Sequence, residues 1–159
     1  MLPAESVRVH RPGVPLDVAA MFDTFGNAVH VADAFPLRDR TVLVTGAGPI
    51  GSMAAAVARH RGARLIVVSD LSPFRLGLAW RAGARSGRIA AMAHGGRIAA
   101  LGLPDEDVPT DWSDISLRML TIQGISGRKV FDTWHTMADL LDDGLDLSFA
   151  VTDHFAAPD

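Results

Sequence analysis

Cysteine is absent from the 159-residue sequence, and lysine occurs once, at Lys129. The first absence excludes disulfide bonds, thiolate nucleophiles and every zinc site built on cysteine. The second leaves Lys129 and the amino terminus as candidates for Schiff-base chemistry, and neither lies in a suggestive context. The sequence therefore gives no support for covalent catalysis by sulfur or by an amine.

Long hydrophobic runs and strong charge are missing as well. Arginine, aspartate or histidine interrupts every apolar run before it reaches the ~18 residues of a membrane-spanning helix, so we expect no membrane association. The opening residues, MLPAESVRVHRPG, lack the apolar core of a signal peptide, which predicts a cytoplasmic location. The net charge of −3 gives no electrostatic reason to expect a nucleic-acid partner.

Two further catalytic signatures are absent. The six histidines stand on different predicted elements without HxH or HExxH spacing, and we therefore predict no metal site. The GxSxG serine elbow does not occur, which removes support for nucleophilic hydrolysis.

The chain divides into three stretches. A hydrophobic content of 48% in 159 residues predicts one folded domain. Residues 1–14 carry proline and glycine breakers and are predicted to form a loose lead-in. Apolar residues recur at helical spacing through residues 15–37, which predicts one bent helix or two short ones. Residues 38–159 are predicted to form the main domain.

The main domain alternates between short β-branched runs and helical patterns. The segment SGRIAAM is nearly repeated as GGRIAAL, and we assign the first copy to a helix and the second to a strand. The predicted strands are residues 41–44, 64–69, 95–101 and 119–124, with a short last strand at 147–151. The predicted helices are residues 52–61, 75–84, 86–92 and 130–143. This alternation of buried strands with helices predicts a parallel sheet and an α/β fold.

The segment TVLVTGAGPIGSMAAAVAR contains the pattern Gly46-x-Gly48-x-x-Gly51 between a predicted strand and a predicted helix. Asp70 follows the next strand, 19 residues beyond Gly51, close to the ~20 residues typical of dinucleotide-binding folds. A glycine turn without a ligand and a methyltransferase site are the alternatives. The strand, the spacing and the acid together favour a dinucleotide.

Each residue of this pattern has a physical reason. Gly46 permits a tight turn, Gly48 lets a pyrophosphate approach the backbone, and Gly51 lets the helix pack close to the strand. The free N–H groups of Ile50 and Gly51, at the positive end of the helix, would point at the phosphates. Asp70 would accept hydrogen bonds from the ribose hydroxyls and favours NAD over NADP.

Four segments together resemble the L-threonine 3-dehydrogenases, which are zinc-dependent medium-chain alcohol dehydrogenases. These segments are FDTFGNAVH, VLVTGAGPIG, HGGRIAALGLP and GISGRKVFDTWHTM, and the resemblance covers residues 14–155 in order. The resemblance implies oxidation of threonine to 2-amino-3-oxobutanoate with transfer of a hydride to NAD. It also implies an NAD-binding Rossmann domain at 38–159, preceded by an interdomain helical segment at 15–37.

The resemblance also implies roles for individual residues. Asp23 corresponds to a family position near the zinc that supports a proton relay without binding the metal, and the alternative is a helix-cap or surface acid. Arg75 would contact NAD, although an arginine at this place could also accept the 2′-phosphate of NADP. The further residues implied to contact NAD are Ile50, Asp70, Leu101, Gly102, Leu103, Ile125 and Ser126.

This sequence departs from the family in ways that bear on activity. The family's zinc needs a cysteine and a His-Glu pair from a separate domain, and the sequence contains neither. Only residues 82–93 stand where the family has a strand-helix-strand portion, and such a unit needs ~30 residues or more. We therefore expect a truncated Rossmann-like sheet of about four strands in the order 2-1-5-6, with the third and fourth strands missing. One crossover helix, fused around residues 83–87, would span the sheet.

Three functions remain in view at this point. The first is a threonine-dehydrogenase-like oxidoreductase fragment that is inactive alone. The second is a non-catalytic module for nucleotide binding or oligomerisation, and the third is a decayed gene product. A flank exposed by the missing portion would favour a homo-oligomer.

Overall fold

A computed structural model describes residues 9, 12–86, 93–103, 106–107 and 110–155. The helices of this part are α1 (Leu16–Ala20), α2 (Phe22–Ala32), α3 (Pro49–His60), α4 (Pro73–Arg81), α5 (Trp112–Leu117) and α6 (Val130–Asp142). The strands are β1 (Thr41–Thr45), β2 (Leu65–Ser69), β3 (Arg85–Ser86), β4 (Arg97–Ala100) and β5 (Thr121–Gly124). Within these ranges, every helix is too short or not apolar enough to span a membrane.

The amino-terminal helical pattern forms two helices, α1 and α2, that meet at Met21. The apolar face of α2 is fully buried at Phe25 and Val29. It packs on α3 along one side and on α6 along the other. Helix α2 therefore packs between the helix that follows β1 and the helix that follows β5.

The first sheet has three parallel strands in the order β1-β2-β3. Val42 lies beside Ile66 and Val44 beside Val68, and these four side chains face the alanine-rich helix α3. Leu43 and Val67 alternate with them and lie half-buried on the opposite face. Helices α3 and α4 pack on the first of these faces, which is the more buried one.

The second sheet contains β4 and β5, which are parallel, with Arg97 beside Thr121 and Ala100 beside Gly124. In the described part of the chain, β1 and β4 are not hydrogen-bonded to each other, which corrects the expected order 2-1-5-6. The strand order depends on how the helices pack, and helix α2 contacts both α3, which follows β1, and α6, which follows β5.

The third strand is a further correction, because the expectation had it missing. Gly83 adopts φ +86° after α4 and turns the chain back. Arg85 and Ser86 then pair with Val67 and Val68 of β2. Ser86 is thus part of a strand rather than of the helix expected at 86–92, and residues 87–92 lie outside the described residues. The crossover helix expected to be fused around residues 83–87 is also wrong, because α4 ends at Arg81 and Gly83 turns the chain into β3.

Residues 147–151 do not form the short strand that was expected. Ser148–Ala150 is a turn of 3-10 helix, initiated where Asp146 Oδ1 accepts the N–H of Ser148 at 2.8 Å. Leu147 and Phe149 are buried in the core beneath α2 and α6. A strand would also place these two side chains on one face, but here both reach the core from a 3-10 turn.

Candidate nucleotide-binding site

The predicted cofactor residues lie where strands end. Gly46 follows β1 and Asp70 follows β2, on adjacent strands of the first sheet. The segment 101–103 follows β4, and the segment 125–126 follows β5. The carboxyl ends of parallel strands form one edge of an open α/β sheet, and ligands of such folds bind along that edge. The two sheets thus contribute separate halves of the candidate site.

The glycine turn connects β1 directly to α3. Gly46 has φ +91°, and its N–H donates to the carbonyl oxygen of Ser69 at 2.7 Å. Gly48 precedes the helix with φ −63° and ψ 179°, and Pro49 is the first helical residue. The N–H groups of Ile50 and Gly51 belong to the first turn, where no intrahelical acceptor is within reach. These two groups are the anion-binding donors that the sequence predicts.

Two of the three glycines have different surroundings. A Cβ on Gly51 would overlap the carbonyl oxygen of Gly46, so the close approach of helix to strand requires glycine here. A Cβ on Gly48 would meet no atom within 4 Å, because this residue faces open space. The open space beside Gly48 is what a pyrophosphate needs in order to reach the helix N-terminus.

Asp70 is anchored across the glycine turn. Its Oδ2 accepts the N–H of Ala47 at 2.7 Å, and its Oδ1 accepts the N–H of Ser72 at 2.7 Å. The backbone hydrogen bonds from Ser72 and Ala47, aided by the charge of Arg75, hold the pKa of Asp70 below its usual 3.8. The side chain is only 8% exposed, and Arg75 Nη1 lies 4.0 Å from Oδ2. Asp70 is thus an ionised acceptor with a fixed orientation beside the cradle.

The second half of the site is built by β4 and β5. The N–H of Ile125 donates to the carbonyl oxygen of Ala100 at 2.8 Å, which aligns the segment after β5 with the one after β4. Ile125 is buried, whereas Leu103 and Ser126 are exposed. Contacts of these residues with NAD stay a prediction.

Asp23 lies in the first turn of α2 and is not isolated. Its Oδ1 is 3.1 Å from Nη2 of Arg128, and the Asp23 side chain is 81% exposed while that of Arg128 is 18% exposed. Arg128 Nη1 also donates to the carbonyl oxygen of Phe22 at 2.9 Å. Arg128 is not among the site residues predicted from the sequence, although it lies in the segment GISGRKV, which belongs to the resemblance.

The structure brings together two of the segments that carried the resemblance. Besides the contacts of Arg128, His30 Nδ1 lies 2.9 Å from the carbonyl oxygen of Gly127. The ring of Phe22 meets Trp134 edge to face at 5.3 Å. FDTFGNAVH and GISGRKVFDTW therefore form one interface, between α2 and the start of α6.

The resemblance implies a zinc ligand set with a cysteine and a His-Glu pair, and the sequence contains neither. The described residues also hold no group of three or more histidine, aspartate or glutamate side chains that could bind a metal.

Comparison with known proteins confirms the resemblance. No protein-family model matches the chain. The chain is 47% identical to the L-threonine 3-dehydrogenase of Streptomyces coelicolor over 194 positions, covering 99% of this chain and 57% of that enzyme. It is 42% identical to the L-threonine 3-dehydrogenase of Deinococcus deserti, covering 100% of this chain and 57% of the relative. The chain thus spans little more than half the length of these relatives.

Solved structures confirm the α/β fold. Galactitol-1-phosphate dehydrogenase of Escherichia coli matches with a TM-score of 0.79 at 19% identity, over 92% of this chain and 56% of that one. An alcohol dehydrogenase of Escherichia coli in complex with NADH matches with a TM-score of 0.77 at 22% identity, over 91% and 53% of the two chains. At these identities the comparison establishes the fold alone.

Proposed function

We propose that this chain binds NAD(H) and represents the cofactor-binding part of an L-threonine 3-dehydrogenase-type oxidoreductase. The observation that carries the proposal is the open space at Gly48, the residue that precedes α3, beside Ala47, whose N–H donates to the carboxylate of Asp70. The similarity to L-threonine 3-dehydrogenases over nearly the whole chain supports the choice of oxidoreductase.

Different residues would bind the pyrophosphate and the ribose of the cofactor. The N–H groups of Ile50 and Gly51 would bind the pyrophosphate, and the dipole of the 12-residue helix α3 adds to their attraction. Asp70 uses one lone pair on each oxygen for the backbone, which leaves further lone pairs for the ribose hydroxyls. NAD, when bound, supplies the hydride acceptor.

Asp70 also favours NAD over NADP, because an ionised carboxylate repels a 2′-phosphate. Arg75 is the residue that would oppose this preference, since its exposed guanidinium reaches to 4.0 Å from Asp70. Isothermal titration with NADH and NADPH separates the two cofactors, and we expect NADH to bind more tightly.

A pair of glycine substitutions tests the cradle. Gly48→Ala places a methyl group where the pyrophosphate would lie, and we expect NADH affinity to fall at least about tenfold. Gly77→Ala is the matched control, because Gly77 lies within α4 and its Cβ would also meet open space. The control should bind NADH normally and gain up to about 1 kcal/mol in stability.

Unchanged NADH binding by Gly48→Ala, or no binding by the unsubstituted chain at millimolar NADH, would refute the proposed site. The second result would favour a decayed gene product. The adjacent genomic sequence discriminates this case further, because a neighbouring frame rich in cysteine would indicate an interrupted gene.

We further propose that the chain alone does not oxidise threonine. Removing the hydroxyl proton requires a Lewis acid or a base, and the carboxylate of Asp23 is held by Arg128. Threonine-dependent NADH formation with added zinc measures this, and clear turnover would contradict it. A non-catalytic nucleotide-binding module is the second candidate; it predicts the same NADH binding without turnover, and clear turnover would exclude it. Self-association and a cytoplasmic location stay predictions from the sequence.

A further inference from the structure

The loop after β5 is fastened to helix α2 by Arg128 and its neighbour. Arg128 donates to the carbonyl oxygen of Phe22 at 2.9 Å and pairs with Asp23 at 3.1 Å. The carbonyl oxygen of Gly127 lies 2.9 Å from His30 Nδ1. Three contacts therefore join a short loop to a helix that lies about a hundred residues away along the chain.

Gly26 lies directly beneath the side chain of Arg128. A Cβ on Gly26 would lie 2.5 Å from Cδ of Arg128, so the arginine stem occupies the space that a side chain at Gly26 would need. Gly26 is itself buried in the middle of α2, where glycine is otherwise unfavourable. The helix thus gives up some intrinsic stability at the place where the arginine lies across it.

We propose that Arg128 is a positioning residue that fixes the loop carrying Ile125 and Ser126 and thereby shapes the nicotinamide side of the cofactor site. The inference rests on the proposed function, since it assigns that side of NAD to the loop. Asp23 then acts through Arg128: its carboxylate holds the guanidinium over α2. The contacts lie on the half of the molecule that contains β5, whereas Gly48 and Asp70 belong to the first sheet.

This placement predicts a selective effect on the two halves of the cofactor. Loss of the Arg128 contacts frees the loop after β5 but leaves the glycine turn and Asp70 unchanged. Binding of NADH should therefore weaken, while binding of ADP-ribose, which lacks the nicotinamide, should not. A residue that served stability alone would change both affinities together.

The experiment compares Arg128→Ala, Arg128→Lys and Gly26→Ala with the unsubstituted chain, using titration of NADH and of ADP-ribose. We expect Arg128→Ala to lower NADH affinity about tenfold and to change ADP-ribose affinity less than about twofold. Arg128→Lys keeps the charge but loses the two-donor fork, so we expect an intermediate loss. Gly26→Ala should resemble Arg128→Ala, and the double variant should add little, because both changes remove one interaction.

Arg61→Ala is the matched control. Arg61 also pairs with a carboxylate of the α2 region, Asp33, through two hydrogen bonds of 3.2 and 3.0 Å. It extends from the end of α3, however, and does not hold the loop after β5. We expect it to leave the ratio of the NADH and ADP-ribose affinities unchanged.

A readout without cofactor keeps this inference separate from the proposed function. Amide hydrogen exchange in residues 124–129 should be faster in Arg128→Ala and in Gly26→Ala than in the unsubstituted chain or in Arg61→Ala. If exchange is not faster, or if NADH and ADP-ribose weaken equally, the inference is wrong. If the unsubstituted chain binds neither compound, the proposed function fails, and the assignment to the nicotinamide side fails with it.

Discussion

Asp70 connects two turns through two separate oxygens, and a single substitution tests both contacts. Asp70→Asn keeps the size of the side chain but removes the charge and one acceptor oxygen. Because the pKa of Asp70 is below its usual 3.8 in the folded chain, its ionisation stabilises the fold above that pH. This contribution is lost as the pH falls through the lower, folded-state pKa.

We therefore expect Asp70→Asn to have a lower urea midpoint than the unsubstituted chain at pH 7. The difference between the two urea midpoints should become smaller as the pH is lowered below 3.8. NADH affinity at pH 7 should fall about tenfold, as is typical for loss of a charged hydrogen-bond acceptor. Asp146→Asn is the control for the NADH affinity, because Asp146 accepts a backbone N–H two residues ahead in the same way, at 2.8 Å, but follows α6 rather than β2. A constant difference across the acid range would contradict the assignment.

The residues of the glycine turn could be predicted from the sequence because the interactions that require them are made by residues nearby in the chain. Gly51 and Asp70 are fixed by the strand-turn-helix pattern and by spacing along the chain. Arg128 could not be predicted in this way, since its partners Phe22 and Asp23 lie 106 and 105 positions earlier. Only the tertiary packing of α2 beside α6 brings these residues together.

At the scale of elements, the two faces of β2 differ. Val68 is 1% exposed and packs with Ile66 beneath α3, whereas its neighbour Val67 is half-buried on the opposite face. Val68→Ala should cost about 2 kcal/mol of unfolding free energy, because it leaves a cavity in a packed layer. Val67→Ala makes the same chemical change on the same strand and should cost less than about 1 kcal/mol. Urea unfolding of both variants measures the difference, and equal losses would show that the second face is covered too.

The long helices and the strongly β-branched strands were predictable, because the spacing of their apolar residues is visible in the sequence itself. The short elements were not. Arg85–Ser86 becomes a strand through its pairing with β2, and its sequence carries no β signal. Ser148–Ala150 turns because Asp146 captures a backbone N–H, which competes locally with extended structure.

For the whole molecule, the main feature is the interruption between β1 and β4. The match to the Streptomyces coelicolor enzyme runs over 194 positions against 159 residues in this chain, so at least 35 positions of that enzyme have no counterpart here. This length suits one strand with one helix. Sequence comparison revealed that something is missing, but the strand order also depends on how the helices pack, which a sequence pattern does not contain.

An insertion tests this interpretation. We expect the corresponding segment of the Streptomyces coelicolor enzyme, placed between β3 and β4, to raise both the unfolding free energy and its urea dependence. The reason is that a continuous sheet buries more surface. A glycine-serine segment of equal length is the control and should raise neither, since it adds only loop entropy. If the two insertions behaved alike, the interruption would not be the place of the missing unit.

Helix α2 has a consequence for the order in which the molecule is made. Arg128 and Trp134, which contact Phe22 at the start of this helix, are synthesised more than a hundred residues after it. Until α6 is synthesised, the face of α2 that packs on α6 has no partner from that helix. Completion of this core therefore waits for a contact between segments about a hundred residues apart, and part of an apolar surface stays exposed in the growing chain over that interval.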